Sequence, residues 1–295
     1  MLNRTHPAGS TLLELLCVLV LLSLLGGAIM RLVVSQRRFL DAANLTMEVA
    51  RSVREGAEIP REELRAVSAS SGGIYELADD HLDFRSLTAS SVLCTIDSSR
   101  SVVSIPARLA WSALTSWVAA PREGDTLLVL DSSADTDPPT WKVHTLQSVP
   151  EPGGRCPIAT GLARTAPEES DALMFEVAPP LEHTIEAGAA LRVFRRARYE
   201  LYRAGDGRWY LGYLDCAPFR ATPCTSVQPV SGPYTAAGIR FSYRDSSGAT
   251  TVDPKRVARI EVHVRAESRV ELRAGGFARG FRSESLAAVV GLRNR

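Results

Sequence analysis

Residues 8–27 read AGSTLLELLCVLVLLSLLGG, and the reading of this stretch decides the fold. It is an apolar run carrying one acidic residue, Glu14, near its start. A carboxylate in hydrocarbon is costly, about 2.5–3.5 kcal/mol for an Asp at the centre of an inserted helix. Glu14 lies nearer the end, where the cost is smaller, yet it still calls for a partner. From Leu12 to Val34 only Glu14, Ser23 and Arg31 interrupt the apolar character, and no proline occurs. About 20 helical residues cross a bilayer core, so residues 12–34 are expected to form a transmembrane helix. Gly26 and Gly27 do not count against it, because membrane helices use glycine freely.

Three readings of the segment compete. As a secretory signal peptide its apolar core would be residues 15–25, with cleavage among Gly26, Gly27 and Ala28. Glu14 at the head of that core argues against it. So does the apolar character that continues through Ile29, Met30, Leu32, Val33 and Val34. A plain single-span anchor leaves Glu14 unexplained. It also meets Arg31, Arg37 and Arg38 after the span against Arg4 before it, a charge bias that would keep the bulk of the chain in the cytoplasm.

The third reading is a resemblance. Gly9-Ser10-Thr11-Leu12-Leu13-Glu14, followed by the apolar run, resembles the processing site of type IV prepilins and type II secretion pseudopilins. The resemblance implies a leader of residues 1–9, cut after Gly9 by a prepilin peptidase, and a mature chain that starts at Ser10 with a methylated amino terminus. The family's usual first mature residue is Phe; here it is Ser10. Glu14 falls at the fifth mature position, where the family carries its acidic residue and uses it to meet the amino terminus of a neighbouring subunit. Physically, a nearby ammonium offsets the desolvation of the carboxylate. Gly9 and Ser10 are thus the expected processing residues and Glu14 the expected assembly residue.

Past Arg31, Leu32, Phe39, Ala43, Met47, Ala50 and Val53 recur at helical spacings among charged residues. This predicts a helix over residues 10–56, about 70 Å long at ~1.5 Å per residue, ending near Gly56 with Pro60 beyond. Its apolar stripe is expected to pack on the chain's own head. Residues 57–295 read as a β-rich head with an antiparallel sheet, so the fold class is α+β. In residues 257–266, VARIEVHVRA, Ile260, Val262 and Val264 alternate with polar neighbours. Further strands are predicted at 92–96, 102–105, 126–130, 141–146, 173–177, 190–194, 198–203, 209–214 and 239–243. Gly205-Asp206-Gly207 marks a hairpin within 199–213. A linker near Val149 would be a domain boundary if there were one.

The head segments GDTLLVLD (124–131), DALMFEV (171–177), GAALRVFRRARYELYR (188–203) and IRFSYRD (239–245) resemble heads of the larger minor pilins and of the J-type minor pseudopilin. The ending GLRNR (291–295) is similar to the close of many such proteins. The resemblance implies a pilin-like fold and a single-pass protein of the bacterial inner membrane with a periplasmic head. It also implies other pilin or pseudopilin subunits as partners, in a tip complex that primes filament assembly.

The net charge of +1 shows no basic excess of the kind that marks nucleic-acid binding. Of the five cysteines, Cys17 lies in the apolar run. Cys94, Cys156, Cys216 and Cys224 allow three pairings in an oxidising compartment, or none if they are buried thiols. Cys216 and Cys224 bracket a proline-containing turn and are favoured as one pair, which leaves Cys94 with Cys156.

No GxSxG, Walker or dinucleotide-binding pattern occurs, so neither catalysis nor a cofactor is expected. Asp131, Asp135 and Asp137, and separately Asp79, Asp80, His81 and Asp83, could offer oxygens to Ca²⁺, but both read better as solvated turns. His6, His81, His144, His183 and His263 are scattered, and His144 and His263 are expected at the surface. The segment 209–213 reads as sheet core more than as a partner surface. The rival to an assembling subunit is an exported or anchored binding or hydrolytic domain behind an ordinary signal sequence.

Overall fold

The computed structural model describes residues 12–108, 114–132, 138–216, 224, 226–273 and 279–292. The chain is α+β, with a long apolar N-terminal helix and a β-rich antiparallel region. Helix α1 is Leu12–Leu64, and a short α2 is Ala166–Ser170. The strands begin with β1 (Ile74–Leu77), β2 (His81–Val92), β3 (Thr95–Ile96), β4 (Val102–Ile105), β5 (Ser116–Trp117) and β6 (Thr126–Asp131). Next come β7 (Thr140–Leu146), β8 (Glu151–Pro152), β9 (Leu173–Ala178), β10 (Ala190–Arg203), β11 (Trp209–Asp215) and β12 (Val227–Tyr234). The last are β13 (Ile239–Arg244), β14 (Arg259–Glu267), β15 (Leu272–Arg273), β16 (Arg279–Gly280) and β17 (Ser283–Gly291).

Two compact units emerge: residues 1–51 with 267–283, and residues 52–266 with 284–295. No boundary falls near Val149. In the first unit, α1 presents an almost wholly exposed apolar surface, and Glu48 pairs with Arg269 at 2.5 Å. β15 and β16 form a two-stranded ribbon there.

In the second unit the main sheet runs β1-β2-β10-β6-β7-β9-β4-β3, with β11, β12, β5 and β8 attached at its sides. A second sheet runs β13-β14-β17. β10 is the organiser. It pairs with β2 along almost its whole length, with β6 through residues 191–194 and with β11 through residues 197–203. The sheet therefore forks on one side of β10. A core of Leu127, Val129, Phe175, Leu191 and Val193 lies on one face of the main sheet. β14 shows the alternation its sequence predicts, with Ile260, Val262, Val264 and Ala266 buried.

Several boundaries differ from the sequence reading. The predicted 92–96 strand is a corner: β2 ends at Val92 and β3 starts at Thr95. The predicted strands 190–194 and 198–203 are one strand, β10, because the arginines between them find carboxylates. Most of β2 went unread because Asp83, Ser86, Thr88 and Ser91 are buried, which hides its alternation. β12 contains Pro229 and Pro233 and, among the described residues, pairs with β11 alone. An edge strand tolerates proline because one row of its N–H groups has no partner strand to serve.

The helix does not stop near Gly56; α1 continues through Pro60 to Leu64. Its buried stripe in the second unit is Val53, Gly56, Ala57, Pro60 and Leu64. The stripe expected from sequence included Phe39 and Met47, and these are exposed. Helical spacing shows that a face is apolar but does not say what covers it.

Gly56 is a close-approach residue and not a helix cap. A Cβ there would lie 2.4 Å from Tyr234 Oη and 3.1 Å from Val264 Cγ1. Tyr234 cannot swing away freely, because its hydroxyl donates to Ser52 O at 2.8 Å and lies 2.7 Å from Ser231 Oγ. Gly56→Ala should gain ~1 kcal/mol of helix propensity but lose about 1–3 kcal/mol to overpacking. The net is destabilisation, read by urea denaturation. A stabilised variant would show that Tyr234 yields.

Candidate functional site

The residues singled out for assembly lie at the start of α1. Gly9 and Ser10 lie outside the described residues, as do Asp135, Asp137 and His6. Glu14 sits in the first helical turn and is exposed. Beyond it Leu15, Leu19, Leu22, Leu25, Ile29 and Leu32 are all more than half exposed. The helix is long and apolar enough to cross a membrane, and none of its most apolar window is buried. It can dissolve in a bilayer, and it carries one carboxylate, Glu14, beside the apolar surface.

The helix is fastened to the sheets at its other end. Glu63 accepts hydrogen bonds from Ser86 Oγ and Tyr199 Oη, each at 2.5 Å. Burial, then the charge of Glu63, pushes the Tyr199 hydroxyl pKa well above its ordinary value, so it stays a donor. Phe84 stacks on Tyr199 at 5.3 Å, and Tyr213 meets it edge-on at 5.5 Å. Sequence reading missed Glu63 because one Glu in a charged helical stretch carries no pattern.

The four cysteines of the head form two disulfides. Cys94–Cys156 has its Cα atoms 4.8 Å apart, and Cys216–Cys224 has them 4.3 Å apart. The first pair is wholly buried with Ala163 and Ala172, while Cys17 is free and exposed.

The acidic stretches are ion-paired. Asp83 is fully buried and receives Arg196 and Arg198. Asp79 pairs with Arg240, and Asp80 lies 2.8 Å from His81 Nδ1. Asp131 is buried and accepts from Thr184 Oγ1 at 2.8 Å. Among the described residues no group of three His, Cys, Asp or Glu is placed to hold a metal ion.

His144 corrects the surface expectation: it is buried, with Nδ1–H donating to Pro179 O at 2.9 Å and Nε2 3.3 Å from Glu182. Its strand, β7, turns that side chain to the core face, opposite Leu127. His183 and His263 are exposed. In the 209–213 segment Leu211 is buried and the aromatic residues are half-buried between β10 and β12.

The strongest polar construction lies at the fork of the main sheet. Arg195 Nε and Nη2 donate to Asp125 Oδ1 and Oδ2 at 2.8 and 2.7 Å. Its Nη1 donates to Asp215 at 3.2 Å, and Nη2 also reaches Ala120 O at 2.9 Å. Arg122 completes the group, donating to Asp215 at 2.7 Å. Burial works against the Arg195 charge, but the two carboxylates outweigh it and raise its pKa. These residues stitch together the point where β10 changes partner. They make a structural network in which each nitrogen of the Arg195 guanidinium donates to the protein itself.

Comparison with protein-family models, with curated proteins and with solved structures gives no match to this chain.

Proposed function

We propose that this chain is a minor pilin or pseudopilin subunit of a type IV pilus-like or type II secretion-like filament. It is processed after Gly9 by a prepilin peptidase, anchored in the bacterial inner membrane by the first half of α1, and works by assembly with other such subunits. The observation that carries the reading is Glu14 in the first turn of a continuous 53-residue helix whose apolar first half is exposed. Cleavage would create the ammonium of Ser10 beside that apolar surface. The Glu14 of a neighbouring subunit would then find its counter-charge there. The two disulfides of the head support an oxidising compartment, hence a periplasmic head despite Arg31, Arg37 and Arg38.

The deciding experiment is intact mass and N-terminal sequencing of the membrane protein from cells with and without the peptidase. The expected start is methylated Ser10, lost without the peptidase. A start near Ile29 would make the chain an exported domain, and an unprocessed Met1 a simple anchor; either ends the proposal. Gly9→Val should leave the leader uncut. Glu14→Ala should be cut normally yet recover fewer partner subunits after cross-linking. Unchanged recovery would remove the docking role.

A further inference from the structure

The open face of the main sheet in the second unit carries a groove of about 1330 Å³, crossed by β2, β10, β6 and β7. Its floor is apolar, with Leu87, Leu128, Val143 and Phe194 among the lining residues. Val143 is 59% exposed although it lies mid-strand. Among the described residues, the ionisable ones that line the groove are Arg85 and Arg192, with no acid beside them. Arg192 Cζ lies 4.8 Å from the centre of the Trp141 ring, and Arg85 Cζ lies 5.9 Å from that of Phe194. Neither arginine forms an ion pair among the described residues. Their neighbours differ: Arg196 and Arg198 commit their charge to Asp83 and Glu76.

A guanidinium stacked on a ring is oriented by that ring, while its in-plane N–H groups stay available for a bidentate carboxylate. Arg192 has no hydrogen-bond partner of its own in the groove. Arg85 makes only long contacts, to Tyr75 Oη at 3.5 Å and Ser71 O at 3.4 Å. We propose that this groove is a docking site for a peptide segment of a partner protein that carries carboxylates between apolar side chains. The carboxylates would bind Arg85 and Arg192, and the apolar side chains would cover Val143 and the floor.

Two features select this occupant. The groove exceeds the roughly 300–1,000 Å³ of a small-molecule pocket, which favours a chain. A single-stranded nucleic acid would need bare aromatic faces and a longer basic track. Here each ring already has a guanidinium over it, and two uncommitted cations make no track. The inference does not depend on how the N-terminus is processed.

The test uses the full chain in detergent. The probe is a fluorescein-labelled ten-residue peptide alternating Glu with Leu, Val and Phe. Comparison probes are its Gln-for-Glu counterpart and a ten-nucleotide oligothymidylate, all followed by fluorescence anisotropy. The Glu peptide is expected to bind about tenfold or more tightly than the Gln peptide, since Gln cannot form the charge-assisted hydrogen bonds to the two guanidinium groups. Arg192→Glu should cost a further factor of about ten, with Arg192→Gln intermediate. Arg208→Glu, at the β10–β11 hairpin, should change nothing. Equal binding of the two peptides, or binding indifferent to both Arg192 variants, overturns the proposal. So does tighter binding of the oligothymidylate that is lost in Arg192→Glu.

Discussion

Arg195→Ala is expected to lower the unfolding free energy by about 3–5 kcal/mol, the range for removing one partner of a buried ion pair. Only 4% of the Arg195 side chain is exposed, and Asp125 is fully buried, so solvent screening offers little relief. The loss is not the worth of a contact. It is the cost of leaving the Asp125 carboxylate in the interior with no cation, and of opening the junction where β10 leaves β6 for β11. The control is a charge-neutral replacement. Arg195→Met alone should be nearly as harmful as Ala, since Asp125 is still stranded. Arg195→Met with Asp125→Asn should recover part of the loss. The Asn carbonyl can still accept from the Arg122 backbone N–H, which lies 2.8 Å from Asp125 Oδ2 in the native protein. Chemical denaturation of the single and double variants gives the coupling energy. Additive losses would show that the network is not energetically coupled.

Removing Cys94–Cys156 should cost about 4 kcal/mol by the chain-entropy relation, because the bond closes a loop with a sequence separation of 62. Cys216–Cys224, with a separation of 8, should cost about 2.5 kcal/mol by the same relation. Position reinforces the order. Cys94 lies at the corner where the chain leaves β2, and its N–H donates to Ser104 O at 2.7 Å. Its bond ties that corner to the segment carrying α2. Both cysteines of the pair are buried, so Ala substitutions add a packing loss. Paired Cys→Ala variants of each bond, compared by denaturation under oxidising conditions, test the ranking. A larger loss from the short loop would show that native packing, not chain entropy, dominates.

How much of this was legible in the sequence depended on where polar groups went. The apolar helix was legible because its first half is uniform and needs no partner to be recognised. β14 was legible because its polar residues face outward, so its period of two stands in the sequence as it does in the sheet. The 199–213 hairpin was legible from Gly205 and Gly207, the latter at φ +79°, a conformation glycine adopts without steric cost. β2 and the middle of β10 were not. Asp83 and Arg195 are buried and Arg196 is half-buried, and these residues look like loop until each finds a counter-charge distant in sequence. His144 failed for the same reason.

What the sequence by itself determined is therefore the set of local tendencies: an apolar helix, short strands, turns and a close cysteine pair. The tertiary structure alone decided the rest. It set the end of α1 at Leu64 through Glu63 and Tyr199, the burial of the Arg195 network, and the pairing of Arg192 with Trp141 across β6. Each of these joins groups that are far apart along the chain. Whether a charge or a face can be buried depends on what meets it in space, and spacing along the chain does not record that.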